Sequence, residues 1–293
     1  MKDSVSLRFL YHTTLGRQVL KTLVRPSVSK KAAKFLSSPA SRPLVGYYIR
    51  KYHIDLTGCE KTQFDSFNDF FTRKKKMDLC VDETNLISPC DGLLSAYPIT
   101  DDLRMQIKHS TYSLASLLQD RVLAMQFRSG LCCIFRLEPR HYHRYIYAVS
   151  GTIQNQRKIP GILHCVRPIA CEEFPVYVQN SREYTLIRNH ALGKVIQMEV
   201  GALLVGKIHN YQTNLPVECG AEKGYFEYGG STIILLFQKN AVQLMPEYSS
   251  LLHTESELPV TLGQVFGKIL LQFSDKLLTP FRWNSFRKSA ILR

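Results

Sequence analysis

A ten-residue segment at 223–232 most constrains what this chain can fold into. It reads Lys-Gly-Tyr-Phe-Glu-Tyr-Gly-Gly-Ser-Thr and leads directly into the apolar run 233–237. Both flanks have high strand propensity, so the paired glycines weaken a strand unless the backbone there needs unusual dihedral angles. Two interpretations follow. The pair is a hairpin turn or bulge, or it is a strained turn on which the Ser231 hydroxyl attacks the carbonyl of Gly230.

The composition is that of an ordinary globular protein with a basic surface. The chain has 293 residues, 45% of them hydrophobic, which suffices for one large or two modest domains. Its formal net charge of +14 favours an anionic partner, whether nucleic acid, an acidic membrane surface or a small anionic substrate. Charge is the only support for nucleic acid, because no nucleic-acid-binding motif is recognisable. We therefore expect no nucleic-acid partner.

Two further patterns concern the compartment. The first ten residues carry Lys2, Asp3 and Arg8 and do not resemble a secretory signal. The apolar runs are far shorter than the roughly 20 residues that cross a bilayer, so any membrane contact is expected to be peripheral. The eight cysteines show neither C-x-x-C pairs nor regular spacing. We interpret them as reduced thiols in a reducing compartment.

Residues 1–85 are predicted to form a helical, basic region that can associate with a membrane. Apolar residues recur there at helical spacing, with basic residues between them, so the pattern predicts an amphipathic arm. Such an arm either packs on the body of the protein or lies on an anionic membrane surface. Near its end, Ser66 is placed to cap a short helix that presents Phe67, Phe70 and Phe71 to one side.

Residues 86–293 are predicted to form a β-rich body. Short apolar segments alternate with turn residues over 86–244, which indicates mainly antiparallel sheet. The span 131–137 is predicted to be a buried strand. The fold class is therefore α+β, a mostly antiparallel β body with a helical N-terminal region.

Two histidines, His141 and His143, follow that strand. On extended backbone they point to the same side, with Tyr142 and Arg144 on the other. The surrounding sequence does not suggest a set of metal ligands, and we predict no metal. Proton transfer is the better interpretation of the two histidines, because histidine is the side chain whose unperturbed pKa lies near neutrality.

Six short segments, taken in chain order, carry a resemblance to a known family. They are Phe-Phe-Thr-Arg at 70–73, Ser-Pro-Cys-Asp-Gly at 88–92, Tyr-His-Arg-Tyr at 142–145, Asn-Ser-Arg at 180–182, Gly-Ala-Leu-Leu-Val-Gly at 201–206, and the segment 223–232. Each is weak alone, but six in the right order are specific. From about residue 67 to residue 237 the chain resembles phosphatidylserine decarboxylase.

The resemblance implies a proenzyme that cleaves itself at Gly230-Ser231 into a β chain, 1–230, and an α chain, 231–293. Attack of Ser231 Oγ on the Gly230 carbonyl gives an ester by an N-to-O acyl shift. A β-elimination then frees the upstream chain and leaves dehydroalanine, which hydrolyses to a pyruvoyl group. This covalent group is the implied cofactor, and it acts as an electron sink when the substrate loses carbon dioxide.

The resemblance also implies catalytic roles for Ser231, His143 and Asp91. Asp91 matches the family's triad carboxylate, and His143 matches the histidine assigned to decarboxylation. The usual pattern here is Asp-Tyr-His-Arg-x-His, whose last histidine completes the self-cleavage triad. This chain has Ile146 at that position and His141 in place of the leading Asp. Four alternatives stay open: His143 as base, His141 as base, cleavage by strain with Asp91, or no cleavage.

Four residues are candidates for substrate binding. Arg73, Arg167 and Arg182 can hold phosphate or carboxylate, since a guanidinium fork fits either group. His164 lies at a family-like position beside the substrate cleft.

We therefore expect a pyruvoyl-dependent enzyme that converts phosphatidylserine to phosphatidylethanolamine. It is expected on the cytoplasmic side of the cell membrane, held peripherally, because a basic surface concentrates an anionic lipid. The alternatives are a pyruvoyl decarboxylase with another amino-acid headgroup substrate and an uncleaved lipid-binding relative. A homodimer is implied by the resemblance alone. Aromatic and basic residues alternate over 281–288, which suits an interfacial anchor or a frayed basic tail.

Overall fold

The computed structural model describes residues 5–77, 79, 82–107, 110–203, 207–211, 216–229 and 231–270. Three sequence predictions lie outside these residues. They concern Gly230, the end of the Gly-Ala-Leu-Leu-Val-Gly segment at 204–206, and the tail 281–288.

Helices dominate the first part of the chain, as predicted. The α-helices are α1 (Val5–His12), α2 (Thr14–Leu23), α3 (Pro26–Leu36), α4 (Pro43–Tyr52), α5 (Phe67–Phe71), α6 (Leu114–Leu118), α7 (Arg121–Met125), α8 (Pro168–Glu173) and α9 (Val176–Gln179), and 3-10 turns span Pro39–Ser41 and Pro246–Leu252.

Strands make up most of the remaining structure. They are β1 (Asn85–Ile87), β2 (Gly92–Pro98), β3 (Arg104–Ile107), β4 (Ser110–Ser113), β5 (Leu131–Leu137), β6 (Arg144–Ile146), β7 (Thr152–Ile159), β8 (Arg182–Asn189), β9 (Gly193–Gly201), β10 (Ile208–Asn210), β11 (Glu222–Phe226), β12 (Ser231–Phe237), β13 (Val242–Leu244), β14 (Leu258–Val260) and β15 (Val265–Ile269). The α+β class and the buried strand at 131–137 are thereby confirmed. The domain boundary at residue 85 stays a prediction.

A seven-stranded sheet organises the body. Its order is β14-β2-β5-β12-β9-β8-β7, and all of these neighbours are antiparallel. Smaller sheets join β1-β15-β13, β10-β11-β6 and β3-β4. Because side chains alternate along a strand, each face of the large sheet has its own core. Ile234 and Leu236 of β12 face one apolar cluster, whereas Ile233 and Leu235 face the other.

The N-terminal helices pack on the first of these faces. Tyr11 of α1 and Leu20 of α2 are buried in the same cluster as Ile234. Thr13 caps α2, since its hydroxyl accepts a hydrogen bond from Gly16 N. The arm therefore packs on the body, which is the first of the two arrangements expected from the sequence. Apolar side chains on its outer face are exposed to solvent.

Helix α5 is confirmed at its predicted position. Ser66 caps it by accepting a hydrogen bond from Asp69 N. Phe67, Phe70 and Phe71 are all buried, in a third apolar cluster with Tyr48. These rings belong to the core, and the basic run begins where α5 ends.

A fully buried ion pair links β11 to the large sheet. Lys223 Nζ lies 2.6 Å from Glu199 Oε2, and it also donates to Asn210 Oδ1 at 2.7 Å. Neither charged side chain is exposed. Burial lowers the pKa of Lys223 and raises that of Glu199, and the ion pair opposes both shifts. Removing one partner leaves the other charge buried without compensation.

We expect Lys223→Met to lower the free energy of unfolding by about 3 to 5 kcal/mol, because Glu199 is left without its counter-ion. Adding Glu199→Leu should recover at least half of that loss, since no unpaired charge then stays buried. Urea unfolding of both variants in a Ser231→Ala background, which removes the hydroxyl of the predicted cleavage site, measures the difference. A loss below about 1 kcal/mol in Lys223→Met would contradict the prediction.

Candidate active site

Ser231 is the first residue of β12, which is the central strand of the large sheet. It pairs with Leu137 of β5 on one side and with Gly201 of β9 on the other. The side chain is fully buried. Just upstream, Gly229 has a φ of 145°, a backbone conformation that residues with side chains rarely adopt. The strained turn itself stays a prediction.

The ring of His143 faces the Ser231 hydroxyl. Ser231 Oγ lies 3.4 Å from His143 Nδ1, and the other ring nitrogen, Nε2, lies 3.2 Å from the carbonyl oxygen of Glu138. A carbonyl oxygen only accepts hydrogen bonds, so Nε2 carries the proton. Nδ1 is therefore the free acceptor, and it faces the serine hydroxyl as a general base would.

The surroundings keep His143 uncharged. It is completely buried, and its ring stacks on Phe71 with the ring centroids 4.0 Å apart. Burial holds its pKa well below the usual value of 6.5, and the neighbouring His141 and Arg73 act in the same direction. The histidine is neutral near physiological pH and can accept a proton.

The main chain at this histidine is held on both sides. Asp91 Oδ2 accepts a hydrogen bond from Tyr142 N at 3.2 Å, and its Oδ1 accepts one from Leu262 N at 2.9 Å. Phe226 N donates to the carbonyl oxygen of His143 at 2.9 Å. Asp91 thus anchors the backbone next to His143, whereas the ring itself is oriented by the carbonyl of Glu138.

His141 and Ile146 have other contacts. His141 Nδ1 accepts a hydrogen bond from Glu138 N at 2.9 Å, so that nitrogen is already engaged. Burial lowers the pKa of His141 as well. Ile146 is buried in β6 and contributes main-chain bonds, from its N to Pro89 O and from Gln197 Nε2 to its O.

Arg73 lies close to this group of residues. Its guanidinium is almost fully buried, 5.2 Å from the ring centroid of Phe70, and Nε has no hydrogen-bond partner. Burial lowers the pKa of Arg73, with Asp91 and Tyr142 opposing. Arg73, Asp91 and His141 line an open cavity of about 760 Å³. Arg73 is therefore the predicted substrate-binding residue that lines this cavity beside Asp91 and His141.

The structure gives Arg182 a different environment. Its guanidinium donates to four main-chain carbonyl oxygens, those of Leu117, Val178, Asn180 and Ser116, at 2.8 to 3.0 Å. These contacts favour a structural role. Substrate binding by Arg182 stays a prediction that they do not support.

His164 and Arg167 lie near α1 and α8. The His164 ring stacks on Phe174, 4.5 Å between centroids, and Tyr11 OH lies 3.4 Å from its Nδ1. Burial lowers the pKa of His164 to about 4. Arg167 is the half-buried N-cap residue of α8. Within the described residues, no hydrogen bond joins either side chain to Ser231 or His143, and their substrate-binding roles stay predictions.

Sequence reasoning missed two members of the site. The carbonyl of Glu138, which sets the His143 tautomer, is a backbone atom, and no residue type signals it. Phe71 belongs to the Phe-Phe-Thr-Arg segment, but helical spacing alone did not show that its ring stacks on His143.

In the Ser231→Ala protein, we expect the His143 ring to stay neutral, with the proton on Nε2, at every pH above 6.5. Burial lowers the pKa, so protonation begins only as the pH falls through the lowered value. Nitrogen-15 NMR of histidine-labelled protein across a pH titration measures both the tautomer and the pKa. A titration midpoint at or above that of free histidine in the same buffer would be the contrary result.

Comparisons with known proteins agree with the motif order. A family profile described as phosphatidylserine decarboxylase matches residues 67–268. The phosphatidylserine decarboxylase proenzyme 2 of Clostridium acetobutylicum is 40% identical over 266 residues, which cover 89% of this chain and 91% of the relative. Phosphatidylserine decarboxylase proenzymes of Ruminiclostridium cellulolyticum and Clostridium perfringens are 38% and 35% identical, over 90% and 89% of this chain and 91% and 92% of their own lengths. The chain belongs to the phosphatidylserine decarboxylase family.

Proposed function

We propose that this protein cleaves itself between Gly230 and Ser231 and then decarboxylates phosphatidylserine to phosphatidylethanolamine. The observation that carries the proposal is the 3.4 Å approach of Ser231 Oγ to the free Nδ1 of a neutral, buried His143. A serine hydroxyl is a weak nucleophile unless a base takes its proton. The family membership and the names of the relatives support the same reaction.

His143 is the proposed base for self-cleavage. The Glu138 carbonyl holds its Nε2 proton, which leaves Nδ1 to accept the proton of Ser231 Oγ as that oxygen attacks the preceding carbonyl. Among the alternatives open from the sequence, this one fits the contacts best, because His141 Nδ1 is already bonded to Glu138 N. Asp91 acts in this scheme by fixing the main chain at Tyr142.

The residues present fit the formation of a pyruvoyl group at position 231. The fit rests on a buried serine with a base beside it, at the start of a strand paired on both edges. Once formed, the group supplies an electron sink for loss of the substrate carboxylate. His143 is the nearby group able to carry the proton that replaces the carboxylate. The apolar surroundings, including Phe71, exclude water from that transfer.

We also propose that the N-terminal helices contact the membrane that holds the substrate. Several apolar side chains of α1 and α2 are exposed although the helices are packed: Val5, Phe9, Leu15 and Val19. Exposed basic side chains, among them Arg8 and Lys21, lie on the same helices. Exposed apolar and basic residues together suit the interface of an anionic bilayer. Among the described helices, none has the length and hydropathy of a membrane span. The cytoplasmic side and the homodimer stay predictions.

The first test is the intact mass, under denaturing conditions, of the purified wild-type chain beside Ser231→Ala. We expect two wild-type fragments that meet between Gly230 and Ser231, the smaller one blocked to N-terminal sequencing, and a single Ser231→Ala chain. Carbon dioxide release from phosphatidylserine vesicles, compared with free serine, then tests the substrate. A full-length wild-type chain after long incubation with lipid would instead support an uncleaved lipid-binding relative, the alternative that Ile146 motivates.

The second test concerns the base. His143→Asn should slow self-cleavage by about 10²- to 10⁴-fold, the usual contribution of a positioned base, whereas His141→Asn should cleave at close to the wild-type rate. Pulse-labelled proenzyme from cell-free translation, shifted to buffers of different pH, gives the rate constants by gel.

For the wild type, we expect a rate constant that is flat above pH 6.5. It should fall only as the pH drops through the lowered pKa, because protonated His143 cannot accept the serine proton. Cleavage of His143→Asn at the wild-type rate, or equal loss in both histidine variants, would argue against His143 as the base.

A further inference from the structure

A cleft of about 250 Å³ opens beside the strand partner of Ser231. Gly201 of β9 pairs directly with Ser231, and it lines this cleft together with Leu163 and Ile208. A β-carbon built on Gly201 would lie 3.1 Å from Leu163 Cδ2 and 3.9 Å from Ile208 Cδ1. The glycine therefore keeps open a space that a larger side chain would reduce.

This cleft lies on the side of the sheet to which the Ser231 side chain points. Side chains two residues apart on a strand share a face, so Ser231 and Ile233 point the same way. Ile233 and Ile208 belong to one apolar cluster, on that face of the sheet. A substrate in the cleft would thus reach position 231 across Gly201, on the face occupied by the serine hydroxyl.

Three lysines from separate parts of the chain line the cleft. Lys30 comes from α3, Lys158 from β7, and Lys207 from the segment just before β10. Arg182 lines the cleft as well, but its guanidinium donates to main-chain carbonyl oxygens. The cleft also contains one carboxylate, Glu183, whose Oε1 lies 3.2 Å from Lys158 Nζ. In the part of the chain that the structure describes, Lys30 and Lys207 form no ion pair. The cleft therefore has two uncompensated ammonium groups.

We propose that Lys30 and Lys207 bind the phosphodiester of the substrate headgroup while its amino-acid end lies at position 231. This inference rests on the proposed function and names the headgroup site within it. In a serine phospholipid, the phosphate is only a few bonds from the amine, so a site beside position 231 has the right reach. Ammonium groups are common phosphate ligands, and charge-assisted bonds are the stronger ones.

The position of Lys30 gives the N-terminal helices a part in specificity. Lys30 lies on α3, one of the N-terminal helices, whereas Lys207 belongs to the β-rich body. The phosphodiester contacts both Lys30 and Lys207. Free serine lacks the phosphate, so these lysines add nothing to its affinity. The cleft thereby distinguishes the lipid headgroup from the bare amino acid.

The test measures binding without turnover. Glycerophosphoserine, free serine and inorganic phosphate are titrated by calorimetry into the full Ser231→Ala chain, with and without Lys30→Ala, Lys207→Ala or Arg73→Gln. We expect glycerophosphoserine to bind most tightly, and each lysine variant to weaken it about tenfold or more. Lys268→Ala is the matched control, because Lys268 is an exposed lysine of β15 that lies outside the cleft, and it should change binding less than about twofold.

Four results would overturn the inference. They are no measurable binding of glycerophosphoserine, equal effects of the cleft lysines and Lys268, equally tight binding of inorganic phosphate, and loss of affinity in Arg73→Gln alone. The last would move the phosphate to the cavity beside Asp91. The cleaved wild-type protein, assayed in parallel for carbon dioxide release, keeps this outcome distinct from failure of the decarboxylase proposal, since binding to Ser231→Ala needs no turnover.

Discussion

The pairing of β12 with two neighbouring strands is the interaction on which the rest of the structure depends. Seven consecutive residues, Ser231–Phe237, are fully buried and pair with β5 on one edge and β9 on the other. This pairing sets Ser231 against Leu137 and Gly201, and it assigns the Ser231 side chain to the face where His143 lies. A chain break before Ser231 would leave every one of these pairs in place, so the proposed cleavage is compatible with an intact sheet.

Burial governs the electrostatics around this strand. His143 is neutral because its ring is enclosed, and a neutral ring with one nitrogen bonded to the Glu138 carbonyl has a defined acceptor at the other. Nearby, Lys223 and Glu199 stay buried because they neutralise each other. The open cleft beside Gly201 is different, since Lys30 and Lys207 are exposed there and, among the described residues, form no ion pair. Buried groups are thus suited to proton transfer and exposed groups to binding.

The N-terminal helices link the site to its surroundings in two ways. Tyr11 and Leu20 pack into the core beneath the large sheet, which positions α1 and α2 against the body. Phe9 and Leu15 of the same helices stay exposed, and Lys30 of α3 reaches the cleft. The arm therefore packs on the body with one face, and its other faces carry the side chains that we propose for membrane contact and for the headgroup site.

The amino-acid sequence by itself determined the elements and the family. Period-two and helical spacing predicted the β body, the cap at Ser66 and the strand at 131–137, because local hydrophobic patterns and capping residues act over a few positions. Motif order identified the family and brought out Ser231 and His143. Only the tertiary structure showed that His143 rather than His141 contacts Ser231, that the Arg182 guanidinium is bonded to main-chain carbonyls, and that Arg73 lines the cavity beside Asp91. Those distinctions depend on partners distant in the chain and on backbone carbonyls, which all residue types share and no motif can reveal.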